Sequence, residues 1–470
     1  MNKPFLMDYR SAALALGAEL FPEGAEGGFT SVAIDSRKVK KGSLFIALQG
    51  LSSDGHRYLH DAFYAGAAGA LVSRKGMEEA GCDPQGLILN GAALLLVENT
   101  LKGLQDLAAA YLDLFPRLLR IGITGSSGKT TTKEIAASII GNEKNVVINS
   151  GNLNSETGLP LSVFNVRDHH DVGVFEAGMN RKGEIAELAA VLKPEIALVT
   201  NIGPAHIGVL GSMENIAKEK KQIFSQFTGK ETALIPEDDS FRDYLAQDIN
   251  GKVIFYGQKN LEASGKLNAV LDRGLGGTEI YWEGIPAGFA LPGKHNVKNA
   301  LAAAVLANEA GISAASIRSG LAGVKGLFGR SEVLQGKTTV IRDCYNSNPD
   351  SAAESLCFCN NLEWPGRRIY VFGSMLELGT YEEKEHHKIG LLLGESKADL
   401  IFLYGKEMES AAVALKEKRR MFFYSDNMDK LSAELKKEIR PGDLVLLKGS
   451  RGCALEQLSD IVFLEDPGVS

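Results

Sequence analysis

Thr124-Gly-Ser-Ser-Gly-Lys-Thr-Thr-Thr-Lys-Glu134 follows a short apolar run, Leu118 to Ile123, and opens a segment with helical spacing. A glycine-rich turn that ends in Lys-Thr at a helix start is suited to hold a polyphosphate. Its backbone N–H groups and the helix N-terminus supply fixed positive potential, Lys129 adds a full charge, and Thr130 offers a hydroxyl to Mg²⁺. Gly125, Ser126, Ser127, Gly128 and Thr131 complete the cradle expected for ATP. The general phosphate-loop pattern asks for a glycine where this chain has Ile123; here the glycines stand at 122, 125 and 128. This shorter Gly-x-x-Gly-Lys-Thr spacing separates the chain from the bulk of phosphate-loop proteins.

At 470 residues the chain exceeds one ordinary core, and two or three domains are expected. A hydrophobic content of 44% with 23% charged residues describes a soluble globular protein. A formal charge of −7 and the lack of a Lys/Arg block argue against nucleic acid as a partner. No apolar stretch reaches bilayer-spanning length, and Met1-Asn-Lys-Pro-Phe-Leu-Met-Asp8 lacks the apolar core of a signal peptide. The five cysteines, 82, 344, 357, 359 and 453, form no C-x-x-C pair, and their odd number suits reduced thiols in the cytoplasm. Cys357 and Cys359 fall in a helical pattern that points them to different faces, which does not make a zinc site.

Three regions separate by pattern: 1 to 112, 113 to 325 and 326 to 470. The first mixes short strands (Val32 to Ile34, Leu44 to Ala47, Ala70 to Val72) with Ala-rich helices. In the second, apolar runs at Ile121, Val146–Ile148, Val172–Phe175 and Ile196–Thr200 alternate with helical segments, which predicts a mostly parallel sheet. The third repeats that rhythm at Ile369–Phe372, Leu400–Tyr404, Phe422–Tyr424 and Leu444–Leu447, and predicts a smaller, Rossmann-like doubly wound domain. Gly323–Gly329 lies between them with the composition of a hinge. The fold class expected is α/β in three domains.

Ligands of open α/β sheets gather beyond the carboxyl ends of strands. Glu176 follows the run Val172 to Phe175 and is placed beside the phosphate loop as a Mg²⁺ ligand. His206, in Asn201-Ile-Gly-Pro-Ala-His206, falls at the same sheet edge and is a second candidate ligand. Lys218, Lys220 and Lys221 share one helix, which composition alone reads as a solvated basic face. Asn299, one turn into the helix opened by Gly293-Lys-His-Asn, is positioned for a nucleotide base or phosphate, while capping accounts equally for Asn296. Asp343 at a strand end suits ribose hydroxyls, and Arg330 suits a γ-phosphate approached from another domain. Gly449-Ser-Arg-Gly452 resembles a second anion-binding turn.

Taken together these motifs resemble the Mur ligases, ATP-dependent amide-forming enzymes of peptidoglycan precursor synthesis. The likeness spans nearly the whole chain. It is carried by the phosphate loop, Gly151-Asn-Leu-Asn154 with Gly158-Leu-Pro-Leu161, Asn201 to His206, Tyr345-Asn-Ser-Asn-Pro349, Gly373-Ser-Met-Leu-Glu-Leu-Gly379 and Lys448-Gly-Ser-Arg-Gly452. Near the start, Asp35-Ser-Arg37, Gly42-Ser-Leu-Phe45 and Asp54-Gly-His56 resemble the domain that holds the UDP-sugar. Within the family the pattern is most like the branch that joins D-alanyl-D-alanine to UDP-MurNAc-tripeptide through an acyl phosphate.

The resemblance implies several roles. Region 1 to 112 would bind UDP-MurNAc-peptide through Asp35, Ser36 and Arg37, and region 113 to 325 would bind ATP. Region 326 to 470 would close on the nucleotide and bind the dipeptide through Tyr345, Asn346 and Asn348. Asn152 and Asn154 would position phosphate or carboxylate oxygens. Lys220-Lys-Gln-Ile-Phe224 matches the family's carbamylated-lysine pattern, which makes Lys220 a ligand of a second Mg²⁺ with His206 and leaves Lys218 and Lys221 as exposed companions. Lys129, His206 and Lys220 would carry catalysis, in a monomer without a membrane span.

The chain departs from the family at Arg342 and Ser374, where acids are usual, and at Cys453, where Met is usual. Rival readings are a sibling ligase adding a diamino acid to UDP-MurNAc-dipeptide, a folylpolyglutamate synthase, and a nucleotide-binding protein without turnover. The diamino-acid recognition motif has no clear counterpart here, and the four residues Lys129, Glu176, His206 and Lys220 are all retained.

Overall fold

The computed structural model describes residues 5–50, 53–87 and 92–464, so part of the N-terminal segment considered above lies outside the described residues. Strands β1 (Glu19–Phe21), β2 (Ser31–Ala33), β3 (Ser43–Ile46), β4 (Gly69–Ser73) and β5 (Ala93–Val97) form one sheet in the order β1-β5-β4-β3-β2. All its pairs are parallel except β1 with β5. Side chains alternate between two cores. Leu44, Ile46, Leu71 and Leu95 face one, and Phe45, Ala70, Val72 and Leu94 the other. A sheet covered on both faces needs such uninterrupted apolar runs. Helix α1 (Thr100–Asp113), N-capped by Asn99, leads onward, and Tyr111 Oη donates to Val166 O at 2.7 Å. The core on that side therefore continues into the next region.

There β6 (Leu119–Thr124), β7 (Val146–Ile148), β8 (Val172–Glu176), β9 (Ile196–Val199), β10 (Thr232–Pro236) and β11 (Lys252–Tyr256) form a wholly parallel sheet, ordered β11-β10-β9-β6-β8-β7. The winding reverses about β6, and the crevice beyond the carboxyl ends of β6, β8 and β9 is the expected ligand position. Helix α2 (Lys129–Ile140) leaves that crevice and buries Ile135, Ala136 and Ile139 against Ile121 and Ile123. Helices α3 (Met213–Lys221) and α4 (Lys294–Glu309) follow.

The apolar-run reading finds β6 to β9 but not β10 and β11. It also does not anticipate the antiparallel sheet of β12 (Leu267–Asp272), β13 (Thr278–Trp282) and β14 (Ile285–Phe289). Along β13 burial alternates, with Thr278, Ile280 and Trp282 buried, so no continuous apolar run marks it.

The last sheet comprises β15 (Glu332–Gln335), β16 (Thr339–Asp343), β17 (Arg368–Gly373), β18 (Leu400–Tyr404), β19 (Phe423–Ser425) and β20 (Leu444–Lys448), ordered β15-β16-β20-β17-β18-β19. Its strands are parallel except for β15, an antiparallel edge paired with β16. Helix α5 (Pro349–Asn361) follows β16. It starts with a capping box between Asn348 and Ser351 and has proline in its first turn. On this helix Cys357 is exposed and Cys359 buried, the two-faced arrangement the spacing implies. The architecture is the three-part α/β fold expected. No helix among the described residues is long and apolar enough to cross a membrane.

Candidate active site

The loop between β6 and α2 is shaped by two glycines. Gly125 has φ +150° and a Cβ there would strike Thr200 Oγ1; Gly128 has φ +76° and a Cβ would strike the Asn299 carboxamide. The left-handed turn at Gly128 aims the first N–H groups of α2 into the crevice. Asn201 braces the loop: its Oδ1 accepts from Ser126 N at 3.1 Å and Ser127 N at 2.9 Å, and its Nδ2 donates to Ser127 Oγ at 2.8 Å. Ser126 Oγ exchanges hydrogen bonds with the Gly203 backbone, both at 2.8 Å.

Thr130 and Glu176 meet at the mouth of the loop. The Thr130 hydroxyl donates to Glu176 Oε2 at 2.7 Å and accepts from Arg330 Nη2 at 3.0 Å, while Asn154 Nδ2 donates to Glu176 Oε1 at 2.6 Å. Asn149, fully buried, accepts from Glu176 N at 2.9 Å and donates to its carbonyl at 3.0 Å, which locks the strand end that carries the carboxylate. Arg330 lies over the Tyr345 ring at 4.1 Å.

Lys220 is 1% exposed, so the solvated-face reading of α3 holds for Lys218 but fails for this residue. Residues 216, 217, 219 and 220 form the helix's buried side. Lys220 Nζ donates to Gly125 O at 2.8 Å, and Lys129 Nζ donates to the same oxygen at 2.9 Å. Burial pushes the Lys220 amine well below its ordinary pKa, and the charge of Lys129 pushes it further. Burial also lowers Lys129, against the pull of Glu176. Lys221 is half-buried and donates to Tyr244 O and Gln247 O, where an exposed companion was expected.

His206 Nδ1 lies 2.9 Å from Glu377 Oε2, which comes from the loop after β17. Asn299 packs on Gly128, with Asn296 behind it, donating to Pro292 O at 2.8 Å. Asp343 accepts from Ser331 N at 3.1 Å, Ser355 Oγ at 2.5 Å and Lys448 Nζ at 2.8 Å. A ribose hydroxyl would share its oxygens with these donors. The Asn348 side chain caps α5, and the Asn346 carbonyl accepts from Lys448 at 3.0 Å. Asp35 closes its own turn and pairs with the exposed Arg37.

One cavity of about 1590 Å³ gathers Ser126 to Thr131, Asn152, Asn154, Glu176, His206, Asn299, Arg330, Asp343, Tyr345, Asn346 and Asn348. That exceeds the roughly 300–1,000 Å³ of a site for one small ligand. Gly125 and Lys220 are not among its lining residues, although Gly125 O accepts from the lining Lys129, and Asp35, Ser36 and Arg37 are not among them either. Sequence reasoning assigned no role to Asn149, Asn201, Glu377 or Lys448. All but Asn149 lie inside quoted motifs, and only their partners reveal them.

No three His, Cys, Asp or Glu side chains among the described residues cluster as a ready cation site. A Mg²⁺ ion fits Thr130 and Glu176 nonetheless, because Mg²⁺ is commonly held by one or two carboxylates together with substrate phosphates and water.

A phosphate loop, a carboxylate fixed against its threonine and an arginine brought from another domain define a nucleotide-dependent enzyme of the phosphoryl-transfer class. The chain belongs to the Mur ligase family. It matches the family's catalytic domain over residues 28–111, the Mur ligase middle domain over 123–307 and the glutamate ligase domain over 329–451. It is 42% identical to the UDP-N-acetylmuramoyl-tripeptide–D-alanyl-D-alanine ligase of Treponema pallidum, over 96% of this chain and 97% of that protein. Among solved structures, MurF from Acinetobacter baumannii superposes with a TM-score of 0.84 at 26% identity, covering 96% of this chain and 98% of that one. MurF ligase from Thermotoga maritima in complex with ADP gives 0.77 at 27% identity, with 92% and 96% covered.

Proposed function

We propose that the protein joins D-alanyl-D-alanine to UDP-N-acetylmuramoyl-tripeptide at the expense of ATP, in the cytoplasmic synthesis of peptidoglycan precursor. The observation that carries this reading is the contact of Arg330 with Thr130 beside Glu176. A C-terminal-domain cation beside the phosphate-loop threonine suits the charge of a transferred phosphoryl group, and the chain has relatives that bear that ligase's name.

In this reading the phosphate loop and Lys129 bind the ATP phosphates, Asn299 and Asp343 contact the nucleoside, and Asp35 to Arg37 hold the UDP-sugar. The terminal carboxylate of the tripeptide attacks the γ-phosphorus, and ADP leaves. The dipeptide amine then attacks the acyl carbon, phosphate leaves, and the amine releases a proton. Both steps bring anions together, so fixed positive charge from Lys129 and Arg330 and the dipoles of α2 lower the barrier. Thr130 and Glu176 would hold one Mg²⁺, and His206 with carbamylated Lys220 a second, supplying further charge neutralisation. A buried amine held below its ordinary pKa is the form that reacts with CO₂, and this supports Lys220 as the carbamate. Asn152 and Asn154 orient oxygens at the rim. Contact between the central and C-terminal domains keeps water from the acyl phosphate.

The test is ATP-dependent product formation with UDP-MurNAc-tripeptide, comparing D-alanyl-D-alanine with single amino acids. A pentapeptide product that requires the dipeptide supports the reading. Product only from UDP-MurNAc-dipeptide plus a diamino acid moves the protein to the sibling activity.

A further inference from the structure

Gly208, in the one-turn helix Ile207–Leu210 after β9, and Gly379, which opens the 3-10 turn Gly379–Tyr381 after β17, bring two domains into backbone contact. A Cβ on Gly208 would lie 2.5 Å from the Gly379 nitrogen and 2.7 Å from the Leu378 carbonyl carbon. Tyr381 Oη donates to Gly211 O at 3.0 Å across the same seam. Beside it His206 Nδ1 meets Glu377 Oε2 at 2.9 Å. Both residues hold left-handed backbone, with φ +63° and +68°. Side-chain-bearing residues adopt that conformation rarely, and it persists where the surroundings over-determine it. The seam therefore delivers Glu377 to one place.

That place is the cavity of the phosphate loop. The C-terminal-domain acids lining it, among the described residues, are Asp343, Glu354 and Glu377. Asp343 is taken by Ser331, Ser355 and Lys448. Glu354, on α5, is exposed, but the cation near it is Lys298 of α4, not the phosphate-loop lysine. Glu377 lies near enough to Lys129 for the charges to interact. Its side chain is 60% exposed, which leaves lone pairs for a ligand. At the two positions where the family usually has acids, Arg342 is paired with Glu332 at 2.8 Å and Ser374 is neutral. Glu377 is thus the exposed C-terminal-domain carboxylate on the Lys129 side of the cavity, where it is shared with His206.

The nucleophile of the proposed reaction is a cation when it arrives, since an α-amine has a pKa of about 8. We propose that Glu377 receives the ammonium of the incoming D-alanyl-D-alanine and sets its approach to the acyl carbon, the ammonium passing one proton to solvent to free the lone pair that attacks, an inference that rests on the ligase reading above. Docking of the seam and recognition of the amine are then one event.

The experiment compares wild type with Glu377→Gln and with Glu377→Asn, whose side chain tolerates left-handed backbone. Two quantities are read in each: the KM for D-alanyl-D-alanine, and the inhibition constant of the analogue carrying a hydroxyl in place of its amine. Losing a charge-assisted hydrogen bond should raise the KM for the dipeptide by about 10- to 100-fold. The hydroxyl analogue should bind within about twofold of wild type in both variants, because it has no ammonium to lose. Equal weakening of both ligands would reveal a general loosening of the seam and overturn the proposal, as would an unchanged dipeptide KM. Failure of wild type to ligate would instead overturn the underlying reading, so the two failures are distinguishable.

Discussion

Lys129 and Lys220 donate to one acceptor, the carbonyl oxygen of Gly125, at 2.9 and 2.8 Å. Two ammonium groups sharing one buried oxygen repel each other, and burial has already weakened the hold of Lys220 on its proton. The arrangement is costly for a bare lysine, a cost that the proposed carbamate would remove.

Lys220→Met should therefore abolish ligation while ADP binding stays within about threefold, and Lys220→Ala should be partly rescued by a short carboxylic acid. The methionine variant should also be more stable at pH 7, with a Tm higher by about 2–4 °C for each kcal/mol gained. The sign of the pH dependence follows from the lowered native pKa. Between that value and about 10.4, the unfolded chain holds a proton that the native one lacks, so wild-type stability rises with pH through that window. The advantage of Lys220→Met should shrink as pH rises towards 10 in CO₂-free buffer. Calorimetry against pH checks this, and a constant difference would contradict it.

Gly128→Ala tests the loop. Its φ of +76° disfavours any side chain, and the new methyl would displace the Asn299 carboxamide. ATP affinity, measured by titration calorimetry, should fall by about 10- to 100-fold with the fold intact by circular dichroism.

The phosphate loop, Glu176 and the parallel strands β6 to β9 were legible in the sequence, because a buried parallel strand is an apolar run and the loop is a contiguous motif. Lys220 was not legible from composition. Its helix carries three lysines, and only packing shows that residue 220 faces inward while 218 faces water. Strand β13 hides its alternation, and the edge strand β15 is too polar to stand out. Asn149 acts entirely through Glu176, 27 residues away in the chain, so no local pattern could announce it.

Gly208→Val tests the seam between the central and C-terminal domains. The added side chain would meet the Gly379 backbone, which cannot retreat as a flexible side chain could. Ligation should drop by about 100-fold or more, and X-ray scattering with ATP analogue and UDP substrate should show a larger radius of gyration than wild type. ADP binding by the central domain should persist. An unchanged profile with normal turnover would contradict the role of the seam.

Ser374→Asp restores the acid usual in the family, yet Ser374 Oγ donates to Glu407 Oε2 at 2.6 Å. A carboxylate from β18's following turn already occupies that position, so the new acid meets a like charge in a buried setting. The variant should lose about 1–3 kcal/mol of stability in denaturant titrations and gain nothing in kcat/KM. Improved turnover would show that the serine is a functional deficit.

The acyl phosphate is the chemical core of the account, and isotope transfer tests it most directly. UDP-MurNAc-tripeptide labelled with ¹⁸O in its terminal carboxylate is turned over with ATP and D-alanyl-D-alanine, and the released phosphate is analysed by mass. Attack of the carboxylate on the γ-phosphorus predicts one ¹⁸O in each phosphate released. Phosphate free of label, with pentapeptide formed, would contradict it.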